Sequence, residues 1–292
     1  MRKAATAFIA ALGLMALVAG SASAAPSVKF KATAVPIHGF PHTGNIYGAG
    51  AAVSAEYAIN GTEYFGGPAP LKHVNVYLPS GSKIHTKGFA TCAVRTLAAE
   101  KNPKGCPSKS QAGPTGSVLG TVKIQEECTE VEQNYGKGAE WEACKKLESE
   151  SRRYFHGVSE HATITPWYVP GGVLFFTKGV SPVLLQIASK GTFTNPNGRG
   201  ATGAVFHGEV PEVESLPGAP YASVDTINVK TGSAYKHGKK TYYYGTMPTK
   251  CPKHYLPVKT ELTFYAVENE LGQQIPESHV TTEYHAPCPK RH

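Results

Sequence analysis

The chain lacks the short motifs that mark a secreted enzyme or a metal site. No G-x-S-x-G is present, so there is no strand–turn–helix elbow to expose a nucleophilic serine. No H-E-x-x-H is present, and the densest histidine cluster, His156 to His161, contains a glycine and a serine that argue against a helix presenting both rings on one face. No C-x-x-C pair is present, which weighs against a zinc knuckle. Beyond the N-terminus no apolar run is long enough to span a bilayer. The nearest, Gly171 to Ala188, is broken by Lys178, Ser181 and Pro182. Charge is also sparse, at 17 % of residues, while glycine (31) and proline (22) are plentiful, a balance that suits short strands joined by tight turns. No catalytic residue, metal or cofactor is assigned from the sequence.

The N-terminus carries a leader pattern. Arg2 and Lys3 precede an uncharged apolar run, Ala4 to Val18, and Ala22 and Ala24 occupy the −3 and −1 places of an A-x-A cleavage site before Ala25. The expectation is a signal peptide over residues 1–24 and a secreted or cell-envelope body over 25–292. The six cysteines agree with export. An even count in an exported chain points to disulfides, and proximity favours Cys92–Cys106, Cys128–Cys144 and Cys251–Cys288 among 15 possible pairings.

Period-two alternation runs through most of the mature chain. Val74, Val76 and Leu78 alternate with His73, Asn75 and Tyr77. Val118, Val122 and Ile124 alternate with a polar set that includes Thr121, Lys123 and Gln125. Val258 to Ala266 and Val280 to Ala286 repeat the pattern. Half-buried strands of this kind must pair their faces across a core, which predicts an all-β fold, an antiparallel, jelly-roll-like β-sandwich. Residues 126–153 depart from it. They hold eight acidic and five basic residues, two cysteines, and Gly136 midway between Cys128 and Cys144. Trp141, Cys144 and Leu147 fall on one helical face, and Glu142 and Lys146 are spaced to pair. The segment reads as an acidic, disulfide-stapled helical hairpin inserted between strands; the alternative is a disordered charged loop with a local disulfide.

Two blocks carry a resemblance. One runs from Val74-Asn75-Val76-Tyr77-Leu78-Pro79-Ser80-Gly81 through Gly88-Phe89 and Cys92 to Gly105-Cys106-Pro107. The other takes in Ser223 to Lys230, Tyr242-Tyr243-Tyr244-Gly245, Lys250-Cys251-Pro252, Thr260 to Phe264 and Ala286-Pro287-Cys288-Pro289. Together they resemble a family of secreted, cysteine-paired, β-rich proteins of high-GC Gram-positive bacteria. The resemblance implies compartment and fold, and no functional residue.

The formal net charge of +8 favours anionic partners, here a cell-wall polymer or polysaccharide rather than nucleic acid. The segment best suited to hold one is Ala234 to Tyr244. It reads as a hairpin in which Lys236, Lys239 and Lys240 supply charge, and Tyr242 and Tyr244 share a face that offers a flat apolar platform. The same pattern also describes an ordinary hairpin with a soluble tip. The expected function is a non-catalytic extracellular or envelope protein. The alternative is a secreted hydrolase acting on polysaccharide, with Glu209, Glu212 and Glu214 as the candidate carboxylates.

Overall fold

The structure, a computed structural model, describes residues 25–35, 37, 40, 47–251 and 254–288. The leader expected over residues 1–24 and the histidines His38 and His42 lie outside them. In chain order the elements are β1 (Ser27–Val35), β2 (Ala52–Asn60), β3 (Leu71–Tyr77), β4 (Lys83–Ile84), α1 (Val94–Ala98), β5 (Gly116–Glu126), α2 (Cys128–Tyr135), α3 (Ala139–Ser149), β6 (Tyr154–Val169), β7 (Gly172–Gly179), β8 (Leu185–Thr194), β9 (Val205–Glu209), β10 (Ser223–Thr231), β11 (Ala234–His237), β12 (Lys240–Tyr243), β13 (Gly245–Thr246), β14 (Tyr255–Phe264), β15 (Val267–Glu268), β16 (Gln274–Ile275) and β17 (Ser278–Pro287).

Eleven strands form one antiparallel sheet in the order β1-β2-β10-β5-β6-β7-β8-β9-β3-β14-β17. At its centre is a meander, β5 to β9, in which sequential strands are antiparallel neighbours, with the helical insertion carried between β5 and β6. The sheet rolls back on itself as a sandwich whose two layers are continuous. Phe30 and Ala32 of β1 pack in the same core as Val280 and Tyr284 of β17, so the two edge strands meet. The Tyr57 hydroxyl of β2 lies 3.2 Å from the Thr260 hydroxyl of β14, across the interior. The alternation read from the sequence produces these faces. In β14, Leu256, Val258, Thr260, Leu262 and Phe264 are all buried and the residues between them are not.

Two additions cover outer faces of the sheet. The Cys92–Cys106 loop, with α1, lies over the outside of β6 and β7, where Cys92 and Leu97 pack on Trp167, Val169, Leu174 and Phe176. These strands are therefore apolar on both faces, which is why Gly171 to Ala188 came nearest to a membrane span; it is the β7–β8 hairpin. Among the described residues no helix is long and apolar enough to cross a membrane. The second covering segment, residues 61–70 with Ser215, lies outside β5. It buries Lys123 completely, on the face that alternation assigns to solvent.

The three expected disulfides are formed, with Cα–Cα distances of 5.0, 5.6 and 6.1 Å, and no described cysteine is free. Residues 126–153 form the stapled hairpin: α2 and α3 flank Gly136, and Cys128, Val131 and Cys144 make a small core with Trp141 and Tyr154. A capping box between Glu127 and Glu130 starts α2. The insertion's ion pairs are Lys137–Glu132 at 3.3 Å, Lys145–Glu148 and Arg152–Glu150 at 3.9 Å, rather than the Glu142–Lys146 pair its spacing allows.

Candidate functional site

The interior of the roll is packed on one side and hollow on the other. Where β1 and β2 face β3 and β14, Phe30, Tyr57, Ile59, Leu71, Leu262 and Phe264 form a dense core. Between β10, β5, β6, β7 and β8 the inward side chains do not close on one another. They enclose a cavity of about 240 Å³. Val53, Val118, Ala162, Ile187 and Val229 line it, are only half-buried, and join none of the packed cores. Close-packed interiors leave few voids larger than a water molecule. An apolar void of roughly 150 Å³ already stays dry and admits benzene.

One end of the cavity is plugged by aromatic rings. Tyr244 stacks on Tyr168 at 4.0 Å, and Phe89 meets both rings edge-on, at 5.2 and 5.5 Å. The Tyr168 hydroxyl accepts a hydrogen bond from Ser233, and burial holds both phenols well above the ordinary tyrosine range. The wall nearby carries Phe206, whose ring lies over the paired glycines Gly191 and Gly208. A β-carbon at Gly191 would sit 2.0 Å from that ring, so these glycines let the aromatic lie flat against the strands.

The strand pairing leaves a gap beside the cavity, and we place its opening there. β7 pairs with β8 along Leu185–Thr192, but the β8–β9 ladder covers only Gly191 to Thr194. Beyond Glu209 the chain leaves the sheet, tied to β3 by the Val210 N–H donating to the Lys72 carbonyl. The first half of β8 thus has no partner on that side. Leu185, Ile187 and Ser189 form one lip of the cavity, and Val210, Pro211, Glu212 and Val213 the other. Leucine, isoleucine and valine on both lips make most of the entrance apolar, with Lys190, Glu209 and Glu212 at its edge. Tyr221 bonds Glu212, and that bond holds its phenol above the usual value.

The candidate carboxylates of a hydrolase are placed at this rim or beyond it. Glu209 and Glu212 line the mouth, whereas Glu214 accepts the Gly218 N–H at 2.8 Å. The carboxylate that reaches the cavity from the wall is Glu160, which the sequence brought up only as part of the His156–His161 cluster. It is 3 % exposed, and its two oxygens accept the N–H groups of Ser181 (3.3 Å) and Val183 (3.0 Å), so it braces the β7–β8 turn. Among the described residues no three His, Cys, Asp or Glu side chains are grouped to hold a metal, and the His156 ring packs tilted against Tyr135, with centroids 5.0 Å apart.

The basic hairpin forms as β11 and β12, with Gly238 at positive φ in the first position of a two-residue turn. Lys236, Lys239 and Lys240 are exposed there. Tyr242 lies beneath Lys240, whose Nζ is 5.0 Å from the ring centroid, and stacks on Tyr235 at 5.0 Å. Tyr244 does not share that surface. β12 ends at Tyr243, the alternation breaks, and Tyr244 turns into the aromatic plug at 5 % exposure. Of the two tyrosines read as a platform, the structure leaves Tyr242 beside the lysines.

No family model, no curated protein and no solved structure matches this chain.

Proposed function

We propose that the protein is a non-catalytic extracellular binding protein that holds a small apolar molecule inside the β-roll. The observation that carries this is the hollow side of the interior: half-buried valine, isoleucine and alanine side chains around a cavity with an apolar lateral mouth. Leaving such surface unpacked forgoes stabilisation of about 25 cal/mol for each Å² that could have been buried. A ligand that covers it recovers that energy as affinity. The cavity is aromatic or aliphatic along most of its wall, Glu209 and Glu212 lie at its rim, and the inner carboxylate, Glu160, has its oxygens committed to backbone N–H groups. This favours ligands without a charged group at the buried end. Three disulfides and no free cysteine among the described residues fit an oxidising, extracellular setting.

The test is a titration of the mature protein with N-phenyl-1-naphthylamine, an uncharged dye that fluoresces in apolar surroundings, followed by displacement with aliphatic alcohols of increasing chain length. Saturable binding at one site, with Kd in the ~micromolar range, is expected. A linear, unsaturable signal would remove the proposal.

A second reading is favoured by the exposed lysines of the β11–β12 turn. Lys236, Lys239 and Lys240 with Tyr242 form a surface for an anionic envelope polymer. Exposed charges are screened over about 8 Å at physiological salt. Co-sedimentation with isolated cell wall is then expected to weaken as salt rises, and to weaken further in the Lys236→Glu, Lys239→Glu, Lys240→Glu triple variant. Changes at Glu209, Glu212 and Glu214 are expected to matter little. Equal sedimentation of wild type and triple variant would exclude the hairpin as the contact.

A further inference from the structure

We propose that the tip of the β7–β8 hairpin docks on a lipid bilayer, so that the cavity's lateral mouth opens at the membrane surface. The inference rests on the apolar-ligand reading and adds the source from which the ligand comes. The tip presents Val180 and Leu184, 65 % and 67 % exposed, on either side of Ser181-Pro182-Val183. Other large apolar side chains at the surface stand singly, as Leu271 does, and single exposed residues need no explanation. Two on one turn make a patch. No charged residue lies between Lys178 and Lys190, and Lys178, opposite Gln186, stands just behind the uncharged tip, while Lys190, opposite Leu174, lies further down the hairpin. That order suits shallow insertion among acyl chains with the Lys178 ammonium left at the phosphates.

Two further features fit a membrane contact. A turn that enters an apolar phase must keep its backbone donors satisfied, and Glu160 accepts the N–H groups of Ser181 and Val183 from inside the roll. The side chains are thereby held outward on a braced backbone. The tip is also continuous with the mouth: Leu184 is exposed, and the next residue, Leu185, lines the cavity. An apolar molecule could pass from bilayer to cavity along the free side of β8 without crossing water. The opposite lip carries Glu209 and Glu212, so the contact is assigned to the tip and not to the whole rim.

The experiment is co-sedimentation of the mature protein with phosphatidylcholine–phosphatidylglycerol vesicles, comparing wild type, Val180→Asp/Leu184→Asp, the milder Val180→Ser/Leu184→Ser, and Leu271→Asp as a control. Thermal unfolding checks that each variant folds. Wild type and Leu271→Asp are expected to partition equally, the aspartate pair roughly tenfold or more weaker, and the serine pair in between. Dye binding in vesicle-free solution is expected to be the same for all four. No partition of the wild type, or equal partition of all variants, overturns the proposal. A wild-type dimer in sedimentation velocity that the aspartate pair disperses would overturn it in favour of a second copy of this chain. Failure of the dye titration with tip-dependent vesicle binding intact would remove the apolar-ligand reading and leave the docking surface standing.

Discussion

Ala162→Phe is expected to abolish dye binding while leaving the protein at least as stable as wild type. Ala162 stands in the middle of β6, opposite Val118 of β5 and Gly179 of β7, with its methyl group turned into the cavity. It belongs to none of the packed cores, so a ring built there enters empty space rather than an occupied site. In a close-packed interior the same substitution would be overpacking and would cost about 1–3 kcal/mol. In a void the added carbons contribute up to ~0.8 kcal/mol for each methylene equivalent buried. The two outcomes differ in sign, which makes the thermal midpoint a direct probe of whether the interior is hollow. The binding measurement is separate: a filled cavity should lose affinity by roughly tenfold or more, because each 1.4 kcal/mol of lost burial is a factor of ten. Unfolding midpoints and dye titrations on the same preparation decide it. A variant that is destabilised and still binds dye would place the ligand elsewhere.

The outline of the fold is legible in the sequence because its signals are local. Period-two alternation yields the buried face of β14 and the half-buried inward face of β17 residue by residue. The spacing of Cys128, Gly136 and Cys144 yields the stapled hairpin, because two short helices around a glycine can bring those cysteines together in only a few ways. The site is not legible, since an inward valine reads the same whether it packs on a neighbour or lines a void. Val118 and Val258 both alternate cleanly; one faces the cavity and the other is buried in a core. What separates them is the curvature of the sheet and the loss of pairing along β8, neither of which is a property of a short window. Tyr244 shows a related failure. Its relation to Tyr242 holds only while the strand continues, and β12 stops one residue short. The exposed tip at Val180 and Leu184 did have a signal, the interrupted apolar stretch from Gly171 to Ala188, but read as a failed membrane span it pointed to no contact.

Lys123→Met is expected to stabilise the protein at neutral pH, with an advantage that shrinks in alkali. Lys123 alternates as a solvent residue of β5, yet residues 61–70 and Ser215 cover it entirely. Its Nζ has no hydrogen-bond partner and lies 5.3 Å from the centroid of the Tyr64 ring. Glycines at 67 and 157 bring backbone close to it: a β-carbon at either would stand 3.5 or 3.8 Å from the ammonium. Burial pushes its pKa down from 10.5 to about 8, a fall that the carboxylates of Asp225 and Glu270 only partly oppose. Below pH 8 both folded and unfolded chains carry the proton, and the folded state bears the full cost of a buried ammonium. Between pH 8 and 10.5 the folded chain releases the proton while the unfolded chain keeps it. The unfolded state then binds more protons, so stability rises with pH across that window. The difference between about 8 and 10.5 corresponds to roughly 3 kcal/mol at most, and attraction to the Tyr64 ring is already part of what the native state retains. Methionine fills a similar volume without a charge, so at pH 7 the variant should gain up to that amount, a rise in unfolding midpoint of roughly 5–10 °C for a chain of this size. Tyrosines raised by burial titrate in the opposite sense at high pH, and subtracting wild type from variant cancels them. Denaturant unfolding at pH 7, 8, 9 and 10 measures the difference: it should be largest at pH 7 and fall steadily from pH 8 upward. A difference that is flat with pH, or a variant less stable at pH 7, would mean that the ammonium is satisfied where it sits.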